Sequence, residues 1–116
     1  MSINSRRKGV EGELEWARFC KSYGYDVHRT AQYCGNTGEA SDVEGLPGVH
    51  VEVKRVEALN IDKAMEQSIR DAEAEKMGRV PIVAHRKNRG PWYVTMLAHD
   101  WFRMYVYLES MDGIGD

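Results

Sequence analysis

Glu52 and Lys54 lie two residues apart in the stretch HVEVKRVE (50–57). Side chains alternate along a strand, so this pair shares one face while Val51 and Val53 take the other. A carboxylate and an ammonium on one face form either a surface salt bridge or one side of a catalytic cleft. Asp42 bears on that choice. The strand-like segments SDVEG and VHVEVKR flank LPG, and a hairpin centred on Pro47 sets Asp42 opposite Glu52. Like charges directly opposite on neighbouring strands repel, and a divalent cation between them reverses the sign. Glu13 is a third misplaced carboxylate. At about 100° per residue it falls among Trp16, Ala17 and Cys20, on the apolar side of its helix. A carboxylate there is paired, protonated, bound to metal or bent out to water. Oxygen ligands of this kind suit hard cations, chiefly Mg²⁺, with Mn²⁺ able to substitute. With Lys54 beside them, they supply what phosphodiester hydrolysis needs: a metal-activated nucleophile and stabilised charge in the transition state.

The elements that must carry these residues alternate in type. A helix is expected from Lys8 to Tyr23, stopped by Gly24, then a strand over YDVHRT (25–30). The polar segment AQYCGNTGEA (31–40) has loop chemistry and the composition of a mobile stretch. After the SDVEG and VHVEVKR strands, Asn60 caps a helix that Gly78 ends. Ile61, Met65, Ser68 and Ala72 form its apolar-to-small stripe, with Gln67 and Asp71 together beside it. VPIVAHRK and WYVTML read as strands around an NRGP turn, and AHDWFRMYVYLE as a closing helix. The order is helix, three strands, helix, two strands, helix: an α/β fold around one sheet.

With 116 residues, a single domain over 1–116 is expected, with 1–7 and 110–116 flexible. No apolar run is long enough to span a membrane, and MSINSRRKG lacks a signal-peptide core. Cys20 and Cys34 form no metal motif, so a reducing cytoplasm is expected. A net charge of −2 gives no global sign of nucleic-acid binding. Two basic knots, RRK at 6–8 and HRKNR at 85–89, are either plain solvated surface or a basic rim, which makes Arg6, Arg7, Lys8, Arg86, Lys87 and Arg89 candidate phosphate contacts. Gln67 is a further candidate for the cleft, Asp71 reads as a solvated helix charge, and none of the four histidines is assigned as a ligand.

SD at 41–42 followed by EVK at 52–54 resembles the PD-(D/E)xK nuclease superfamily, without the proline before Asp42. RKGVEGELE (7–15) and YGYDVHRT (23–30) resemble archaeal-type Holliday-junction resolvases and their phage relatives. The resemblance implies a restriction-endonuclease-like core with a central mixed five-stranded sheet flanked by helices. It implies Glu13, Asp42 and Glu52 as metal ligands, Lys54 as their catalytic partner, and Arg29 and Thr30 at the DNA backbone or active site. It further implies Mg²⁺ as cofactor, DNA with four-way junctions as substrate, a role in recombination and repair, and a homodimer that nicks two opposed strands. Other nucleases of the same fold, cutting flaps, ends or specific sites, and a non-catalytic DNA-binding module are the alternatives. The aromatic-rich stretch between Trp92 and Tyr107 is expected to join the two copies.

Overall fold

The computed structural model describes residues 2–30 and 41–111, with side chains from Arg7 onward. The expected mobile loop at 31–40, the side chain of Arg6 and the extreme tail lie outside the described residues. Helix α1 (Ser2–Lys21) is followed by the short strands β1 (His28–Arg29) and β2 (Val43–Glu44). Strand β3 (Val49–Arg55), helix α2 (Ile61–Glu75), strands β4 (Val80–Arg86) and β5 (Tyr93–Met96) and helix α3 (Ala98–Glu109) complete the order.

Helix α1 begins ahead of the expected Lys8 and closes where Gly24, at φ 95°, turns the chain and donates to the Lys21 carbonyl at 2.9 Å. Asn60 caps α2 through its side-chain oxygen, which accepts from the Lys63 amide. That helix ends before Gly78, because Lys76 already adopts the left-handed conformation at φ 55°.

Strands β3 and β4 run parallel, and β5 joins β4 antiparallel. One face of this sheet packs Val51, Val53, Ile82 and Ala84 against Trp16, Ala17 and Cys20 of α1. Gly12 permits the close approach: a Cβ there would stand 3.0 Å from Arg55 Cβ. The other face meets Ala64 and Met65 of α2 through Val83, and Ser68 Oγ donates to the Ile82 carbonyl at 2.9 Å. On that second face β3 presents no apolar residue at its centre, but His50 and Glu52, both buried.

The expected single five-stranded sheet is not what the described residues form. There are two sheets, β1–β2 and β3–β4–β5. The break has a local cause. Beside β3, the Val51 amide donates to Ser41 Oγ at 2.7 Å and the Val53 amide to Asp42 Oδ2 at 2.8 Å. Side chains thus take donors that a backbone ladder would use, and one backbone bond, Asp42 amide to Val51 carbonyl, spans the gap. The ribbon is docked on the sheet without continuing it.

Candidate active site

Helix α2 and strand β3 meet along a matched repeat. Two strand residues advance about 6.7 Å and four helix residues about 6 Å, so every second residue of β3 can face every fourth of α2. Lys54, Glu52 and His50 are opposed in this way by Gln67, Asp71 and Glu75. At the first rung the groove opens to solvent as a cleft of about 440 Å³, lined by Lys8, Gly9, Glu13, Asp42, Glu52, Val53, Lys54, Arg55, Val56 and Gln67.

The four residues with the most conspicuous chemistry in the sequence therefore line one cleft. Glu52 is almost wholly buried, and its Oε2 lies 3.3 Å from His50 Nε2. Asp42 stands beside β3 at the level of Glu52, held by its bond from the Val53 amide. Burial, then the charge of Glu52, pushes the Asp42 carboxyl up to about 7. Glu13 adds to the rise, while the Val53 amide and Lys54 oppose it. A buried carboxyl raised by its carboxylate neighbours lies where positive charge is short, and a divalent cation would supply it. The donor set is all oxygen, with the Lys54 ammonium in the same cleft, and fits Mg²⁺ or Mn²⁺, which Glu13, Asp42 and Glu52 would hold. Glu13 is at present turned to Arg29, whose Nε donates to it at 2.8 Å.

Residues expected on the DNA rim divide. Arg7, Lys8, Lys87 and Arg89 are exposed, and Lys8 reaches the cleft itself. Arg86 is half-buried, with its guanidinium 5.5 Å from the Trp92 ring centroid and its Nη1 3.6 Å from Glu15. It braces the wall from behind. Arg29 is tied to Glu13. The Thr30 hydroxyl is buried with no partner among the described residues, and its amide donates to the Asp42 carbonyl at 3.0 Å, just ahead of β2. Arg55, not singled out by its sequence, lines the cleft and pairs with Glu15 at 3.2 Å.

Sequence reasoning also missed the rung behind the cleft. His50 is fully buried between two carboxylates, Glu52 and, at 3.2 Å from Nδ1, Glu75. Burial works to lower its pKa, but the hydrogen bonds and charges of Glu52 and Glu75 prevail and hold it above the ordinary value. Asp71, expected as a solvated charge, is only partly exposed and turns toward this pair. The signal was spacing: His50 precedes Glu52 by two on one strand face, and Gln67, Asp71 and Glu75 recur every four on one helix face.

The family model described as "Phage putative PDDEXK endonuclease" matches residues 4–111. The chain belongs to this family. No curated protein and no solved structure matches it. Membership makes it a nuclease of the PD-(D/E)xK type, a class that acts on DNA and typically uses divalent metals. Among the described residues no helix is long and apolar enough to cross a membrane.

Proposed function

We propose that the protein is a Mg²⁺-dependent, structure-selective DNA endonuclease that works as a homodimer and resolves four-way junctions by paired nicks. The observation that carries the nuclease chemistry is the convergence of Glu13, Asp42, Glu52 and Lys54 on one cleft. In this reading Glu13, Asp42 and Glu52 would hold the cation, which would supply a Lewis acid for the scissile phosphate and a more acidic water. Glu52 holds its carboxylate from β3, and Asp42 is fixed beside it by the bond from the Val53 amide, which keeps reorganisation small. Lys54 presents Nζ where negative charge grows on the phosphate. Lys8 and the exposed Lys87 and Arg89 contact flanking phosphates, which positions the duplex without reading its sequence. Gln67, at the cleft edge, orients water or a phosphate oxygen.

Support for the dimer comes from α3. Trp101, Phe102, Met104, Val106, Tyr107 and Leu108 are all exposed, and only Asp100 of the helix is buried. Trp101 stacks on Tyr105 within the helix itself, with centroids 5.3 Å apart. A helix this apolar is normally covered, and a second copy related by a two-fold axis covers it while supplying the second active site that paired nicking requires.

Cleavage of four-way, flap, linear duplex and single-stranded DNA in the presence of Mg²⁺ tests the reading. Paired, symmetric nicks in the four-way substrate alone are expected. Preferential cutting of flaps or linear duplex would replace junction resolution with another nuclease activity, and no cutting of any substrate would overturn the catalytic assignment.

A further inference from the structure

Behind the cleft lies a second group of ligand atoms. One atom each of His50, Glu52 and Asp71 lies within 4.8 Å of the others. The imidazole is not free to turn. Its Nδ1 faces Glu75 Oε1 at 3.2 Å, and that oxygen is gripped by Arg79 Nε at 3.0 Å. Arg79 is fixed in turn by Glu44 at 3.0 Å. A carboxylate on one ring nitrogen, with the other nitrogen aimed at further carboxylates, is how metal-binding histidines are held. Glu75 occupies the Nδ1 side and leaves Nε2, 3.3 Å from Glu52 Oε2, as the ring nitrogen on the Glu52 side.

Charge makes an independent case. Within this connected group, His50 and Arg79 face four carboxylates, Glu44, Glu52, Asp71 and Glu75. Even with the imidazole protonated, negative charge exceeds positive in a mostly buried setting, and such charge is normally paired or bound to metal. Asp71 has no ion-pair partner among the described residues.

We propose that His50, Glu52 and Asp71 form a second cation site, for a borderline transition ion such as Zn²⁺, Co²⁺ or Mn²⁺. A nitrogen ligand with two carboxylates favours these ions over Mg²⁺, which prefers oxygen and retained water. Glu52 links the two sites. It gives Oε2 to the His50 side and lines the open cleft, so its carboxylate can bridge an ion on either side. Occupancy of the inner site then fixes the direction in which the catalytic carboxylate points. This assignment goes beyond the nuclease reading and does not depend on DNA cleavage.

The test uses the whole purified chain and Co²⁺ as probe, with Mg²⁺ in large excess to occupy all-oxygen sites. Equilibrium dialysis should show about one Mg²⁺-resistant Co²⁺ per chain, with visible absorption typical of nitrogen ligation and displacement by Zn²⁺. His50→Gln and Asp71→Asn should each abolish that resistant equivalent. Asp71 is partly exposed, so its variant keeps the test valid if His50→Gln fails to fold. Complete displacement of Co²⁺ by Mg²⁺, or full retention of the resistant ion in folded Asp71→Asn, would overturn the site. A wild-type chain that takes up this Co²⁺ yet cuts no DNA would defeat the proposed function and leave this inference standing.

Discussion

The wall of the cleft and the outer helix α3 differ in what each lacks. Along β3 and α2, side chains are buried and held at short distances: His50 between Glu52 and Glu75, Arg79 between Glu75 and Glu44. What is missing there is positive charge. Along α3 the reverse holds. Charge is sparse, Asp100 is matched by Arg103 at 3.3 Å, and what is missing is cover for aromatic and aliphatic surface. A site completed by ions and a face completed by another surface call for different partners, and they should fail in different ways when altered.

The largest effect should come from the cleft. Glu52→Gln and Lys54→Ala are each expected to reduce metal-dependent cleavage by several orders of magnitude. DNA affinity of Glu52→Gln should be kept or increased, since a charge that repels phosphate is gone. Lys54→Ala should leave Mg²⁺ affinity nearly intact, because the ammonium is not a ligand. Single-turnover cleavage and Mg²⁺ calorimetry separate the two, and wild-type turnover in either variant would break the contrast at once.

For α3, Trp101→Glu should convert dimers to monomers and lose paired nicking while the cleft, and with it Mg²⁺ binding, persists. Light scattering of the wild-type protein should give about twice the 13.3 kDa chain mass. A wild-type monomer that still resolves junctions would show that α3 is covered by something else, or by nothing.

The deficit of positive charge makes a prediction about pH. Asp42 has an ordinary value of 3.8 and sits at about 7 in the folded chain, and His50 is raised above 6.5. Each therefore favours its protonated form on folding. The stabilisation is complete below the unfolded values and is lost as pH rises, for Asp42 between 3.8 and about 7, and for His50 above 6.5. Metal-free protein should thus melt several degrees higher at about pH 6 than at about pH 8, and added Mg²⁺ should narrow the gap by replacing the lost protons. A melting temperature that does not change across that range in chelator would mean that the carboxylates are already compensated.

The smallest expected effect separates two neighbours. Lys87 is exposed, whereas Arg86 lies over Trp92 and beside Glu15. Lys87→Ala should lower the salt slope of DNA binding by about one. Arg86→Ala should lower the melting temperature and leave the slope unchanged. Equal slopes for Lys87→Ala and wild type would remove that loop from the DNA surface.

Much of the cleft was legible in the sequence because its residues break local rules. Glu13 interrupts an apolar helix face, and Asp42 and Glu52 face each other across a turn, so pattern alone exposes them. The helices were legible for the opposite reason: Asn60, the Ala72 stripe and Gly24 obey the rules. What stayed hidden depends on three-dimensional register. His50 looks like any strand histidine until Glu75, on another element, comes to face its far nitrogen. Asp71 resembles a solvated helix charge until the four-residue step of α2 is laid against the two-residue step of β3. The number of sheets was unreadable because it depends on which atoms take the Val51 and Val53 protons, and side chains of Ser41 and Asp42 took them.

That last arrangement gives Asp42 a second duty. A strand margin with unfilled amides invites another strand to add on, the usual start of edge-to-edge aggregation. Ser41 and Asp42 plug two of those positions with side chains, which no incoming backbone can extend. One carboxylate thus fills a strand-edge amide and lines the cleft. An alanine at residue 42 would remove both at once, and a lost activity could then reflect clumped protein. Asparagine keeps an oxygen for the Val53 amide and removes only the charge, which makes it the cleaner replacement.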